Sequence, residues 1–501
     1  MELTFQSQPY HYLRCVLRED RNQEETAEII VPDSYPDIVA VTDCFAEAIL
    51  RGKDCRDGSV TVAGGIKGAV LCAPEDQSYP RNLETYIPFT VKFEDPGLTA
   101  HAQVLCTVRV CTVDARMINS RKVFLRINLC CEMTAFEKST DMHCSLDTRD
   151  PCLQLKEVAY ATKVPFEVAE KSFSVSDSIE LPMGYPPVTQ IYGFHCSADL
   201  SDEKLVGNKV VFKGILRCKL LYLAENEKIY SCEQTLPFSQ YCEMQADYDE
   251  ESVQTKLMIT GYDLDGPSGN DGQIQLTVNI LAQCRVDGTQ VLQLIEDAYA
   301  INGVLNAQWK EFDLEGSLDQ QAVTLNIRQR IPGDICEISD SVVYWGLPEV
   351  SHNGERVKIC VPAFIRVLGY QESGQLQSLT SKTEAVYEMT LSQNGQCCAT
   401  GEPVGEAVSA VDAGGAEVKC SIRLSISCHA DEKLRTLCAG EIEQSEIEPT
   451  CSTVIVRMVE KDTPLWELAK AYRTTVEDIQ GANQLDGSHL PEDTMLLLPI
   501  A

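Results

Sequence analysis

The chain has 501 residues, of which 44% are apolar, and a formal net charge of −33. That length exceeds what one ordinary hydrophobic core accommodates, so we expect roughly three to four domains. An acidic surface repels phosphate backbones and anionic lipid headgroups, which argues against nucleic acid and membrane partners. The charge fits simple solubility as well as a basic protein partner, and it does not choose between them.

The amino-terminal segment and the cysteines both bear on the cellular compartment. The opening residues, MELTFQSQPYHYLRCVLRED, contain no basic segment followed by an apolar run, so a secretory signal is not predicted. No stretch approaches the ~18 consecutive apolar residues that cross a bilayer, so no membrane insertion is expected. The 23 cysteines form neither a C-x-x-C pair nor a Cys/His zinc spacing, and most are interpreted as small buried hydrophobes in a reducing compartment. Later oxidative cross-linking is the alternative.

An internal repeat organises most of the chain. VPDSYPDI at 31–38 recurs as LPMGYPPV at 181–188, and a fainter copy begins with IPGDICEI at 331. A period of about 150 residues is far longer than that of a solenoid, so each copy is predicted to be a whole domain.

Each copy contains a long stretch of alternating apolar and polar residues near its end. The three stretches are KVFLRINLCCEM (122–133), QIQLTVNILAQCRV (273–286) and EVKCSIRLSISCHA (417–430). Period-two alternation predicts a half-buried strand with one face turned inward. The residues predicted to face inward are Val123, Leu125, Ile127, Leu129, Cys131 and Met133; Ile274, Leu276, Val278, Ile280, Ala282, Cys284 and Val286; and Val418, Cys420, Ile422, Leu424, Ile426 and Cys428.

A predicted hairpin lies midway through each copy, and in two copies its second arm contains proline. Ile87-Pro88-Phe89 corresponds to Leu236-Pro237-Phe238, and we assign Tyr387-Glu388-Met389 as the counterpart in the third copy. Proline cannot donate to a strand ladder, which predicts an edge position or a strand end. Many strands with turn signals at short intervals indicate antiparallel sandwiches or barrels, and we predict sandwiches.

The pattern changes at Val454. A short strand is followed by Thr463 as a predicted N-cap and Pro464 as the first helical residue. Leu465, Leu468, Ala469 and Tyr472 share one helix face, Thr475 and Asp478 form a capping box for a second helix, and TMLLLP forms a second strand.

The sequence therefore predicts a mainly β fold. Tandem antiparallel β-sandwich-like repeats are expected at 1–150, 171–300 and 320–445, followed by a small βααβ domain at 453–501. The acidic segment GEIEQSEIEPTCS (440–452) is the predicted linker.

The P-x-x-Y-P stretches, the central hairpins and the I/L-P-F blocks resemble the SPOCS domain of spore coat assembly proteins, over about residues 1–450. The carboxyl-terminal module resembles the LysM domain in the order and spacing of its residues. The matching residues are Asp462, Thr463, Leu465, Trp466, Ala469, Tyr472, Val476, Asn483 and Leu496–Pro499.

The LysM resemblance implies a groove for N-acetylglucosamine-containing glycans between the loops Asp462–Leu465 and Asn483–Gly487. In this chain Lys461 replaces the usual glycine and Pro464 is inserted into the first loop, which favours a protein ligand. Trp466 is interpreted as a core residue of a very small domain. The predicted partner- or glycan-binding residues are Asp462, Thr463, Pro464, Leu465, Asn483, Gln484 and Leu485.

The sequence leaves three classes of function to compare, which are an enzyme, a cell-wall-binding protein and an assembly protein. The chain has no nucleophile elbow, P-loop, zinc-protease motif or Rossmann glycine run, so we predict no enzyme, no catalytic or metal-binding residue and no cofactor. A peptidoglycan-binding cell-wall protein is the alternative hypothesis. The SPOCS–LysM combination resembles coat morphogenetic proteins that help anchor the coat's basement-layer ATPase around the forespore. This resemblance implies an assembly protein in the mother-cell cytoplasm, at the forespore surface or spore coat, with that ATPase or another coat protein as partner.

Overall fold

The computed structural model describes residues 2–76, 79–146, 150–248, 251–266, 273–313, 319–390, 395–412, 414–430, 433–444, 454–485, 487, 489–490 and 492–499. The fold is mainly β, with two short helices near the carboxyl terminus, as the sequence predicts. Within those residues, no helix is both long and apolar enough to cross a membrane.

Repeat one consists of two three-stranded antiparallel sheets with the orders β1-β6-β5 and β2-β3-β4. Its strands are β1 (Phe5–Ile30), β2 (Ile38–Arg56), β3 (Ser59–Pro74), β4 (Arg81–Glu94), β5 (Gln103–Asn119) and β6 (Lys122–Leu146).

Repeat two has the same topology, with the orders β7-β12-β11 and β8-β9-β10. Its strands are β7 (Leu153–Ile179), β8 (Val188–Val206), β9 (Lys209–Ala224), β10 (Ile229–Glu243), β11 (Ser252–Asp265) and β12 (Ile274–Ala300).

Repeat three divides several of these strands into shorter pieces. One sheet has the order β14-β21-β19 with β20 on β21, another joins β15, β16 and β18 to β17, and β13 pairs with β22. The ranges are β13 (Gly303–Asp313), β14 (Asp319–Pro332), β15 (Glu337–Trp345), β16 (Glu349–Asn353), β17 (Arg356–Tyr370), β18 (Leu376–Thr390), β19 (Gly395–Pro403), β20 (Val408–Asp412), β21 (Gly415–Ala430) and β22 (Lys433–Gln444).

The alternating stretches lie in β6, β12 and β21, and their predicted inward faces are confirmed. Every residue predicted to face inward is buried. In repeats one and two these residues pack into one hydrophobic core each, whereas in repeat three Val418 belongs to a second cluster beside the core that holds the other five. Each of these three strands is the middle strand of its sheet, which is why both strand neighbours and the opposite sheet cover it.

The prolines at 88 and 237 lie on the edge strands β4 and β10, as predicted. The following aromatic packs over a glycine of the middle strand, since a Cβ on Gly64 would lie 2.3 Å from the ring of Phe89. The assignment of Tyr387–Met389 as the third counterpart is wrong. In repeat one the middle strand has the small residue, Gly64, and the edge strand has the large one, Phe89. At the equivalent point of repeat three, Val361 of the middle strand faces the smaller Ala385, so the sizes are reversed and the sequence likeness is lost.

Long strands continue beyond the repeats as three two-stranded ribbons, which we call the stalk. The ribbons are 5–14 with 137–146, 153–165 with 287–300, and 303–313 with 433–444. Residues from all three ribbons share a hydrophobic cluster. Because of the stalk, the first strands of repeats two and three begin at Leu153 and Gly303, before the expected starts at 171 and 320.

The three two-sheet units, which we call the head, meet at a buried group of charged residues. Arg366 of β17 pairs with Asp43 of β2 and, at 2.7 Å, with Asp340 of β15. Lys219 of β9 lies 2.9 Å from the other oxygen of Asp340. All three repeats thus contribute to one ion-pair network in the interior.

Most thiols that the structure describes are buried or half-buried, in agreement with the interpretation as small core residues. Cys111 and Cys130, on neighbouring strands of repeat one, form a disulfide that the sequence did not predict.

Candidate functional site

The carboxyl-terminal module is a two-stranded sheet covered on one face by two helices. Its elements are β23 (Val454–Val459), α1 (Leu465–Tyr472), α2 (Val476–Asn483) and β24 (Thr494–Pro499), which confirms the predicted βααβ order. The buried apolar residues of the module are Val459, Leu465, Leu468, Ala469, Ile479, Leu490, Leu496 and Leu498.

The two helix starts differ from each other. The Oγ1 of Thr475 accepts a hydrogen bond from the backbone N–H of Asp478 at 2.9 Å, which confirms Thr475 as the N-cap of α2 and half of the predicted capping box. The predicted N-cap of α1 is wrong, because the cap residue is Pro464 and it provides no side-chain hydrogen bond. Thr463 instead donates its hydroxyl to the carbonyl of Glu460 at 2.8 Å, and so closes the preceding turn.

The first predicted binding loop is a tight turn beside the segment 489–490. Asp462 adopts a left-handed backbone with φ of 62°, and its N–H donates to the carbonyl of Leu490. Pro464 forms an isolated bridge with His489. The side chains of Asp462 and Pro464 are exposed and Thr463 is half-buried, whereas Leu465 is part of the module core.

The second predicted loop contains a residue with a structural role. The amide of Asn483 donates to the carbonyls of Ile479 and Leu497 and accepts from the N–H of Leu497, all within 2.8 Å. Leu485 is half-buried against the module core, and Gln484 is exposed. Of the seven predicted binding residues, only Asp462, Pro464 and Gln484 therefore have exposed side chains.

Trp466 joins the module to the stalk. Its Nε1 donates to Oδ2 of Asp297 on β12 at 2.8 Å, and its ring packs edge-on against Tyr299 with 5.0 Å between centroids. The hydroxyl of Tyr299 donates to the carbonyl of Thr474, and Lys470 pairs with Asp297 at 2.7 Å. Burial alone would raise the pKa of Asp297, but the bonds from Lys470 and Trp466 hold it below its usual value.

The outer face of the β23–β24 sheet is apolar and exposed. Val456 lies opposite Leu497 and Met458 opposite Met495, and these four residues are between 42% and 66% exposed. Val454 extends the same face. We call these five residues the apolar sheet face. Glu460, Glu492 and Asp493, all exposed, lie at the end of the sheet near Met458.

Sequence reasoning missed this face. A strand with only one covered side normally carries polar residues on its exposed side, but the exposed sides of VIVRMV and TMLLLP are apolar. Apolar residues at alternate exposed positions of both strands in so small a module were the available signal.

Two family models match the chain. One, described as the LysM domain, matches residues 460–499, and the other, described as the SPOCS domain of SipL, matches residues 187–265. The chain carries a SPOCS domain and a LysM domain. The SPOCS match spans β8 to β11 of repeat two, and the LysM match spans both helices and β24. Neither a curated protein nor a solved structure matched the chain.

The two domains are of non-catalytic, binding types. Together they indicate a sporulation-related protein with a binding module of the peptidoglycan-binding type. The LysM domain is mounted on the stalk through Trp466, and its apolar sheet face and the Asp462 and Pro464 side chains of its first loop remain exposed.

Proposed function

We propose that the chain is a non-enzymatic spore coat assembly protein that docks through its LysM domain on a coat basement-layer protein, such as a coat morphogenetic ATPase, at the forespore surface. The observation that carries this proposal is the apolar sheet face on a LysM domain that shares a chain with a SPOCS domain. An exposed cluster of aliphatic side chains is characteristic of a protein interface.

The aromatic residues of the LysM domain support a protein ligand over a glycan. Trp466 is its only tryptophan, and the indole N–H is already bonded to Asp297 of the stalk. The hydroxyl of Tyr472 accepts from Arg457 at 2.7 Å. Valine, methionine and leucine offer a partner apolar contact area but few hydrogen bonds for sugar hydroxyls, so the apolar sheet face suits a protein surface better.

The mounting of the LysM domain supports an anchoring role. A docking module held by a hydrogen bond, an ion pair and an aromatic contact keeps a fixed orientation relative to the stalk. A fixed orientation lowers the entropic cost of binding, and it positions the head at a defined place relative to the partner.

The charge of the chain indicates the chemistry of the partner surface. The carboxylates of Glu460, Glu492 and Asp493 border one end of the apolar sheet face, and the whole chain carries −33. We propose that the partner presents an apolar patch bordered by basic residues, because complementary charges steer association and disfavour a second copy of this chain.

A binding assay with charge-reversing variants tests the proposal. The double variant Val456→Lys with Met458→Lys should weaken binding to the purified coat ATPase at least tenfold, because lysine adds a desolvation cost and repels a basic surface. The matched control is Val408→Lys on β20, which is 67% exposed and distant in sequence. Leu485→Lys is less suitable, since Leu485 packs against the module core.

Glycan binding is the second candidate function, favoured by the LysM match and by the exposed first loop. Soluble peptidoglycan fragments distinguish the two candidates in the same assay. The proposal requires that the fragments leave the protein complex intact. Displacement by the fragments, with no effect of the lysine variants, would establish the glycan-binding alternative.

A further inference from the structure

Two cysteines of repeat three face each other across neighbouring strands. Cys397 on β19 lies directly opposite Cys428 on β21, and their sulfur atoms are 2.9 Å apart. A disulfide bond is about 2.05 Å long, so the two sulfur atoms are not joined by a disulfide but are nearly at bonding distance. Both residues are more than nine-tenths buried, at 6% and 8% exposure.

We propose that Cys397 and Cys428 form an oxidation site, at which a hydroperoxide converts the two thiols into a disulfide that bridges β19 and β21. The inference concerns repeat three and is independent of docking by the LysM domain. Its product would be a covalent lock across the sheet, formed when the folded chain meets an oxidant.

The backbone already has the separation that the bridge needs. Residues directly opposite each other in antiparallel strands have Cα atoms about 4.5–5.5 Å apart, within the range of disulfides. Both cysteines belong to the core of repeat three, together with Ala399 and Ile426. β21 is held by β14 on its other side, so the two sulfurs cannot easily separate.

A cavity provides access for a small oxidant. It has a volume of about 280 Å³ and is lined by Cys397, Cys398, Cys106, Arg18 and Lys256 among others. A water molecule occupies about 30 Å³ of liquid volume, so hydrogen peroxide would enter this space readily. Larger thiol reagents would be hindered, because the sulfur of Cys397 belongs to a buried residue.

The reaction balances with hydrogen peroxide as the oxidant. One cysteine, as its thiolate, attacks the peroxide, the O–O bond breaks, and a sulfenic acid forms with release of water after protonation. The second thiol then attacks the sulfenic sulfur and expels a second water molecule. Two thiols and one peroxide thus give one disulfide and two waters.

The neighbouring cysteines provide matched controls. Cys398 is adjacent to Cys397 but is half-buried and lies on the opposite face of the same strand. Cys420 lies in the same core and on the same strand as Cys428, and burial raises its pKa to about 11. Neither Cys398 nor Cys420 has a sulfur atom directly opposite it on the neighbouring strand, so neither can undergo the reaction proposed for Cys397.

The test is oxidation of the folded full-length chain with a small excess of hydrogen peroxide. After quenching, remaining thiols are alkylated in denaturant, and the peptides are mapped by mass spectrometry without reduction. The expected result is a cross-linked peptide pair containing Cys397 and Cys428 as the main new disulfide. It should be reversed by dithiothreitol and accompanied by a higher melting temperature of the oxidised chain.

Cysteine-to-alanine variants distinguish oxidation at this specific pair from general oxidation of the thiols in the chain. Cys397→Ala should abolish this cross-link and leave Cys428 alkylated, while Cys398→Ala and Cys420→Ala should leave the yield unchanged. If Cys397→Ala does not fold, Cys428→Ala serves the same purpose. The proposal is overturned if both cysteines of the natively folded chain are recovered as alkylated thiols, or if Cys398 replaces Cys397 in the cross-link.

Discussion

At the scale of single residues, Arg366 is a buried cation that joins repeats. It contacts Asp43 of repeat one and Asp340 of its own repeat, and Asp340 in turn contacts Lys219 of repeat two. Burial raises the pKa of Asp43 despite the nearby guanidinium, whereas Arg366 and Lys219 keep the pKa of Asp340 low despite burial. Removing the central cation would leave two buried carboxylates with too little compensating charge.

We predict that Arg366→Met lowers the free energy of unfolding by about 3–5 kcal/mol, the usual cost of breaking a buried ion pair. Urea denaturation followed by circular dichroism measures the change. Arg328→Met is the matched control, because Arg328 is 70% exposed and pairs with Glu417 on the surface. That control should cost less than about 1 kcal/mol. Equal losses for the two variants would contradict the role given to the buried network.

Asn483 is the second residue whose role the structure redefines. Its amide fastens the end of α2 to β24 through two hydrogen bonds with Leu497, and a third hydrogen bond goes to Ile479 within α2. We predict that Asn483→Ala destabilises the LysM domain by about 1–2 kcal/mol, because the hydrogen bonds between α2 and β24 are lost. Hydrogen exchange should then accelerate in β24 and leave the three repeats unchanged. The exposed neighbour Gln484 is the control, since Gln484→Ala should leave exchange unaffected.

Residue roles of this kind were hard to predict from the sequence. Lys219 and Arg366 lie at the same distance from the first residues of β9 and β17, but repeat one has Ala69 at that point of β3. No local pattern therefore marks them. Asn483 fits a family motif, but the motif does not say whether its amide faces a ligand or the backbone of β24.

At the scale of elements, the contact of α1 with β12 connects the LysM domain to the stalk. Trp466 and Lys470 both bond to Asp297, and Tyr299 packs beside them. We predict that Asp297→Ala favours the undocked state of the LysM domain by about 2 kcal/mol, since hydrogen bonds to ionised groups typically contribute 1.5–3 kcal/mol. Faster hydrogen exchange in α1 and easier proteolytic release of the module would report the loss.

The same contact has a defined pH dependence. The pKa of Asp297 is lower in the folded chain than in the unfolded one, so its contribution is present above the unfolded pKa of about 3.9 and disappears as the pH falls through the folded pKa. Docking of the module should therefore weaken only below about pH 4. Asp54→Ala, at an exposed ion pair on β2, is the control and should leave the module docked.

The type, order and inward faces of the elements were predicted more accurately than the lengths of the strands. Alternation identified the inward faces of β6, β12 and β21, because one side of each strand packs on a core. It did not identify the ribbons, since a two-stranded ribbon in the stalk buries only part of a face and its alternation is weaker. The βααβ order was predictable because capping and helical periodicity are local signals.

At the scale of the whole molecule, two carboxyl groups at contacts between repeats have raised pKa values. Burial raises the pKa of Glu47 to about 7, where β2 of repeat one meets Cys196 of repeat two. Burial and the adjacent Glu233 of repeat two raise the pKa of Glu406 of repeat three to about 7 as well. Each folded-state pKa exceeds the ordinary value near 4.5, so the folded chain binds more protons than the unfolded chain over this interval.

We predict that the head loses stability as the pH rises from about 5 to about 8, by roughly 1–3 kcal/mol in total. Protonation of Glu47 and Glu406 stabilises the folded chain fully below about pH 4.5, and this stabilisation is lost as the pH passes 7. Urea midpoints measured across this range test the slope. The isosteric double variant Glu47→Gln with Glu406→Gln should flatten it, and an unchanged slope in that variant would show that other groups are responsible.

The arrangement of the repeats could be predicted only in part. The period of about 150 residues reveals three copies because sequence similarity survives in Pro32, Tyr35 and Pro36 and their counterparts Pro182, Tyr185 and Pro186. Packing of the copies into one head depends on contacts distant in sequence, such as Asp43 with Arg366. We propose that the three repeats and the LysM domain are the protease-resistant units, with a linker between the last two. Residues 440–444 of the predicted linker 440–452 belong to β22 of the stalk, so the linker begins no earlier than 445, and its remaining residues lie outside the described part of the chain.

The central claim, that the LysM domain anchors this chain to a protein at the forespore, is tested most directly by fluorescence microscopy in a sporulating host. The tagged chain should form a ring around the forespore, and the variant Val456→Lys with Met458→Lys should become diffuse while Val408→Lys keeps the ring. Circular dichroism of the purified variants confirms that the three β repeats remain folded. Uniform label on vegetative cell envelopes, or an intact ring in the double lysine variant, would contradict the account.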